Sequence, residues 1–276
     1  MLYQALLGAW PVDGHDPTFP ERVQAYALKA AREGKQETSW LNPNAPYETG
    51  LRTFITRILD PSVSGEFLTA LETAAQRLAL LGALNSLSQI ALKATLPGVP
   101  DFYQGTELWD LSLVDPDNRR PVDFAAREKL LAALDVPNWP RLAETWRRGE
   151  IKFAWMLHLF KLRNELAEVF THGDYQPLEI TGAHRDHILA FVRRRGRDAA
   201  ITVVAKSLAP FSQGGRYWPR AEQFDGMVDA RGFVLDGIGA REGKISLSSL
   251  FAHFPAAVLK ARTEAPARRL RQRASA

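Results

Sequence analysis

The 276-residue chain is 46% hydrophobic and 24% charged, the balance of a globular protein with a buried core, which excludes a disordered or fibrous chain. Its formal charge of +4 is local, because the stretch from Lys260 carries six basic residues against one acid and leaves the body at about −1, without the basic face that nucleic-acid binding requires. The lack of cysteine excludes disulfides and cysteine zinc sites, and no apolar run approaches the roughly eighteen residues of a membrane span.

Leu2 to Trp10 is an apolar opening with no capping residue before it. It has no positive flank and no small-residue cleavage site, so it does not read as a secretory signal, and a cytoplasmic protein is expected. After a loop rich in Pro, Gly and Asp, Glu21 to Glu33 places Val23, Tyr26, Ala27 and Ala30 at helical spacing, with Gly34 as the stop. The polar loop KQETSWLNPNAPYE leads to Pro46, where a helix over Tyr47 to Leu59 can start, with Leu51, Phe54, Ile55 and Ile58 on its apolar face. From Ser64 the series Phe67, Leu71, Ala74, Leu78, Leu81, with Leu84 and Leu87 beside it, predicts one long helix to about Ala94.

A Pro-Gly turn then leads into Val99 to Tyr103, a short apolar run that predicts a buried strand, and into a long polar loop from Gln104 to Arg120. Helix, strand and polar loop form one unit of a parallel sheet or barrel, in which chemistry sits on loops leaving the C-terminal ends of strands. Three further helical patterns cover Ala125 to Leu134, Trp139 to Arg148 and Ile151 to Phe170. Beyond them the period shortens. Gln176 to Ile180, His187 to Arg193, Ala199 to Ala205, Gly232 to Leu235, Lys244 to Leu247 and Ala256 to Leu259 read as strands separated by turns, including Asp236-Gly237. The expected fold is therefore α/β plus all-β. Residues 1–172 form the mostly helical C-terminal part of an incomplete (β/α)8 barrel, 173–260 a small antiparallel β-sandwich, and 261–276 a basic disordered tail.

The densest chemistry lies in PGVPDFYQGTELWDLSLVDPDNRRPVDF, Pro97 to Phe124. Glycosidic chemistry needs paired carboxylates across a sugar ring, and Glu107 and Asp115 are candidates for such a pair. The same residues also fit a structural account, with Asp115-Pro116-Asp117-Asn118 as a type I turn and Arg119 or Arg120 in an ion pair. Trp40 beside Lys35, Thr38 and Asn42 offers a sugar-stacking plane; shielding one indole face contributes about 2 kcal/mol, and a core anchor is the competing role. Gly237, Gly239 and Gly243 lack dinucleotide spacing, Gly243-Lys244 lacks the flanks of a phosphate loop, and His184 with His187 reads as a turn before a strand. No cofactor or metal is implied.

The Pro97 to Phe124 stretch resembles the eighth barrel strand and following loop of maltooligosyltrehalose synthases, members of the α-amylase superfamily. AYALKAAREGKQETSWLNPNAPYE resembles the segment before that strand, and KISLSSLFAHFPAAVL resembles the end of the C-terminal β domain. The resemblance implies an intramolecular transglucosylase that turns the reducing-end α-1,4 bond of a maltooligosaccharide into an α,α-1,1 bond, linked to a maltooligosyltrehalose trehalohydrolase that uses the product. In this family the three catalytic carboxylates precede the region matched, so the resemblance implies no catalytic residue here and a fragment inactive by itself. By resemblance Lys35, Trp40, Gln104, Glu107, Asp115, Asn118, Arg119 and Arg120 line or brace the substrate pocket. A glucan-binding module without catalysis, or a related α-glucan hydrolase or glucosyltransferase, are the alternative readings.

Overall fold

The computed structural model describes residues 1–12, 14, 16–134, 136–236 and 243–264. Two compact units divide the chain. The first gathers Met1–Ser86, Phe102–Trp155 and Leu208–Trp218; the second gathers Leu87–Asp101, Met156–Ser207 and the segment from Pro219 onward. The change from helix to strand falls between His172 and Asp174, whereas each compact unit takes segments from both sides of it.

The first unit opens with α1 (Leu2–Ala9) and α2 (Phe19–Gly34), followed by α3 (Ala45–Ile58). Lys35 ends α2 in the left-handed conformation at φ 53°, and the Asn44 side chain caps α3 by accepting the Tyr47 N–H at 3.2 Å. Leu6, Ala9, Phe19, Val23, Ala27, Ile55, Leu71 and Leu113 form the core of this unit. Phe54, expected on the apolar face of α3, is instead exposed.

The long helix is present as α4 (Pro61–Thr95), broken only at Ser64, where φ −128° and ψ 36° leave the helical region. The 31 residues beyond that break run for about 46 Å at the α-helical rise. Leu71, Leu84 and Leu87 are buried as expected, while Leu78 stays exposed.

No strand follows. Residues 99–103 are irregular, Val99 is 99% exposed and Tyr103 also faces water. A strand exists only as a member of a ladder, and among the described residues none before Asp174 belongs to one. The expectation of a barrel strand at this position is corrected accordingly. The turn after it also differs: the Asp115–Pro116 bond is cis, and Asp117–Arg119 forms a 3-10 turn. Next come α5 (Phe124–Ala133), capped by Asp123, and α6 (Trp139–Glu144), capped by Asn138. The pattern Ile151 to Phe170 resolves into α7 (Glu150–Glu165) and α8 (Ala167–His172), divided at Leu166.

The strands of the second unit are all antiparallel. One sheet has the order β1 (Asp174–Pro177), β3 (Ile188–Arg195), β4 (Asp198–Ala205), β8 (Ala256–Thr263) and β6 (Phe233–Leu235); the other has β2 (Ile180–Thr181), β5 (Met227–Asp229) and β7 (Lys244–Ser246). β4 is central, and seven of its eight residues are buried, which accounts for its nearly continuous apolar run. Strand β8 runs four residues past Leu259. Ala261 and Arg262 pair with Ala199 and Asp198, so residues 261–263 complete a strand rather than open a tail. Gly237 of the expected Asp236-Gly237 turn, Gly239 and the basic residues from Arg268 lie outside the described residues.

Candidate functional site

Helix α2 organises the loop that the sequence singled out. Its apolar residues face the core, and Arg22 and Lys29, seven positions apart and hence on one side of the helix, reach the loop from the flank. The guanidinium of Arg22 forks onto both carboxylate oxygens of Asp117 at 2.8 and 2.9 Å, and donates to Asp16 at 2.6 Å and to the Leu111 carbonyl at 3.0 Å. Asp117, buried, also accepts the Leu113 N–H at 2.7 Å and lies 3.3 Å from Arg120. Lys29 donates to the Asp115 carbonyl at 2.9 Å and lies 2.7 Å from its carboxylate, which Arg119 meets from the other side at 3.0 Å. Together these bonds fix both ends of the segment Leu111 to Arg119.

Glu107 is held separately. Arg127 donates to its carboxylate at 2.6 Å and to the Gly105 carbonyl at 2.8 Å, while the Gly105 N–H donates to Glu107 at 3.2 Å. Burial works to raise the Glu107 carboxyl, but the Arg127 and backbone hydrogen bonds outweigh it and keep the group below its ordinary value. The same balance holds Asp117 low: burial raises it, and the bonds from Arg22 and the Leu113 N–H win. The Lys29 hydrogen bond holds Asp115 low despite some burial, with Arg119 adding to it. A general acid needs a raised pKa and a proton to give. All three carboxylates are tuned the opposite way, toward permanent charge.

Next to this loop, Trp109 donates its indole N–H to the Trp146 carbonyl at 2.7 Å, and Lys152 donates to the Leu108 carbonyl at 2.8 Å. Gly149 (φ +77°) is needed here, since a Cβ would stand 3.0 Å from the Trp109 nitrogen. A cavity of about 440 Å³ lies within the first unit, lined by Trp10, Trp109, Trp146, Leu7, Leu78 and Lys152, with Asp110 and small residues of α1 and α4.

Of the remaining candidates, Gln104 and Asn118 are exposed in turns, Lys35 is exposed at the end of α2, and Trp40 is 56% exposed with the Arg32 guanidinium 4.8 Å from its ring centroid. The structure thus joins Asp115 to Arg119 directly, and gives Glu107 a partner other than Arg119 or Arg120. Sequence reasoning missed Arg22, Lys29, Arg32, Glu48 and Arg127. The signal for Arg22, Lys29 and Arg32 was the spacing of cations along the flank of α2, which a search for the apolar face passes over; Glu48 on α3 and Arg127 on α5 left none in the sequence. Among the described residues no group of three or more His, Cys, Asp or Glu is arranged to hold a metal ion; His184 accepts the Asp225 N–H at 2.9 Å.

No family model matches the chain. Among curated proteins, the putative maltooligosyl trehalose synthase of Mycobacterium tuberculosis, in strains CDC 1551 / Oshkosh and ATCC 25618 / H37Rv, is 39% identical over 203 residues, 73% of this chain and 24% of the relative. Among solved structures, the maltooligosyltrehalose synthase of Arthrobacter ramosus matches with a TM-score of 0.71 and 36% identity over 94% of this chain and 32% of that one. A mutant of the same synthase gives 0.73 at the same identity. A hypothetical maltooligosyl trehalose synthase of Sulfolobus tokodaii gives 0.64 and 27% over 94% of this chain and 31% of that one. The resemblance drawn from the Pro97 to Phe124 motif is to the family that these comparisons return. The chain spans about a quarter of the length of the curated relatives.

Proposed function

We propose, from its similarity to one portion of the maltooligosyltrehalose synthases, that this chain supplies the substrate side of an intramolecular transglucosylase. It corresponds in this reading to the C-terminal part of the enzyme, the last elements of a catalytic barrel followed by a β-sandwich. The substrate is a maltooligosaccharide. Its reducing-end α-1,4 bond is cleaved with retention, leaving the shortened maltooligosaccharide covalently bound to the enzyme through its new terminal glucosyl residue, and the released glucose unit returns through its anomeric hydroxyl to displace the enzyme and form the α,α-1,1 bond. A closed, water-poor pocket lets that glucose outcompete water. The product then passes to a trehalohydrolase, in the cytoplasm.

One observation carries the division of labour. Glu107, Asp115 and Asp117, the carboxylates of the motif that gave the resemblance, are each bound to a cation and held below their ordinary pKa. A low pKa makes them unsuited to serve as the general acid; that they brace the loop while the nucleophile and the acid/base belong to another part of the parent enzyme follows from the family resemblance. By itself the chain is expected to be inactive. Incubation with maltopentaose, read by NMR for the α,α-1,1 anomeric signal and for free glucose, is expected to show neither; turnover lost in Glu107→Gln would overturn the assignment.

The same ion pairing also suits a glucan-binding module that never cleaves its ligand. Calorimetry separates the two: micromolar affinity of this chain alone for maltopentaose favours the module, whereas weak binding favours a site completed by the rest of a synthase.

A further inference from the structure

The loop after α2 exposes an apolar surface that its neighbours hold still. Trp40 is more than half exposed, Leu41 is 91% exposed, and Tyr47 also reaches water. The turn carrying Trp40 is closed at both ends: the Ser39 N–H donates to the Asn42 carbonyl at 3.2 Å and the Asn42 N–H to the Ser39 hydroxyl at 2.9 Å. Against the indole lies Arg32, whose two nitrogens fork onto Glu48 at 2.8 and 2.5 Å. Glu48 also accepts the Thr38 hydroxyl at 2.7 Å, and the Thr38 oxygen accepts the Asn44 N–H at 3.0 Å. Thr38 and Glu48 are both buried.

An unbroken series of bonds therefore runs from the capped start of α3 to an indole left open to water. The indole is more than half exposed, and the guanidinium against it is tied down by the Glu48 carboxylate. A plane ordered before the ligand arrives avoids the cost of immobilising it on binding. A pyranose matches such a plane, because its C–H groups meet the ring while its hydroxyls remain hydrated.

We propose that Arg32, Glu48 and Thr38 are positioning residues that hold Trp40 as a stacking platform for one glucosyl ring of an α-1,4-glucan. The identity of the ligand rests on the proposed function; the stiffness of the platform does not.

The two parts separate in one experiment on the whole chain. Nitrogen relaxation of the Trp40 indole N–H, assigned by its loss in Trp40→Phe, is expected to give an order parameter near about 0.85, falling below about 0.6 in Glu48→Gln. Thr38→Val is expected to loosen the ring as well and Thr38→Ser to leave it rigid, which distinguishes the hydroxyl's role from a general loss of structure. Saturation transfer to maltopentaose at millimolar concentration is expected to fall at least about threefold in both Trp40→Ala and Glu48→Gln, a ratio worth about 0.65 kcal/mol if it reflects affinity alone. A rigid indole in Glu48→Gln overturns the positioning role. A loosened indole with the same saturation transfer in wild type and Trp40→Ala overturns the stacking role and counts against the proposed function.

Discussion

Arg22 in the first compact unit and Arg193 in the second are both withdrawn from water, and each finds a different substitute for it. Arg22 is neutralised by the carboxylates of Asp16 and Asp117, whose hydrogen bonds raise its pKa. Arg193, 2% exposed, donates to the carbonyls of Thr95, Phe170 and Gly173 at 3.0 to 3.3 Å. Those carbonyls belong to the last turns of α4 and α8, where helices leave acceptors unpaired and carry partial negative charge. Burial, together with Arg163 nearby, pushes the pKa of Arg193 down. One arginine binds a loop by charge; the other binds helix ends by their dipoles.

The contrast makes Arg193→Met the most damaging substitution. Two buried acceptors and the half-buried Gly173 carbonyl lose their donor, at about 3 kcal/mol or more, measured by urea unfolding. Arg22→Met is expected to cost about 2–3 kcal/mol, since it strands the charge of buried Asp117, with part of the penalty relieved by residual exposure. A second change sharpens the comparison: Asp117→Asn added to Arg22→Met is expected to recover about 1 kcal/mol, because the stranded charge is gone. Were the double variant no more stable than Arg22→Met, charge would not be what holds the loop.

Acid supplies a third test. The folded pKa values of Asp16, Asp115, Asp117, Glu107 and Glu48 lie below their ordinary values of 3.8 and 4.5, and Glu48, held by Arg32 and Thr38, is lowered to about 2. Groups shifted this way contribute stability above their ordinary pKa that is lost as pH falls through the folded one. Hydrogen exchange between about pH 4 and pH 2 is expected to open residues 104–127 before β3 and β4. Equal loss in both would mean that these carboxylates do not hold the loop. Smallest is Arg119→Ala: with 74% of its side chain exposed and its pair with Asp115 screened by water, its loss is expected to leave the unfolding midpoint in urea essentially unchanged. If the proposed function is right, its effect appears instead as more hydrolysis relative to isomerisation in a complete synthase.

The helices were legible because a 3.6-residue period survives without knowledge of partners, as in Val23 and Ala27 on α2 or Leu84 and Leu87 on α4. What the period does not say is whether a partner is there to cover each apolar residue, hence exposed Phe54 and Leu78. Val99 to Tyr103 failed for a related reason, since composition makes a strand possible and only a neighbouring strand makes it real. β5 is three residues long and has no periodicity to read. At the site the loop was recognisable from its residues, but Arg22 and Asp117 are 95 positions apart. No local pattern in the sequence shows that pairing.

The most direct measurement replaces the matching third of the Arthrobacter ramosus maltooligosyltrehalose synthase with this chain and follows maltopentaose by NMR. The account predicts a chimera that forms the α,α-1,1 bond and keeps doing so in Glu107→Gln. A chimera that folds and leaves maltopentaose unchanged, while the parent synthase converts it, would contradict the account.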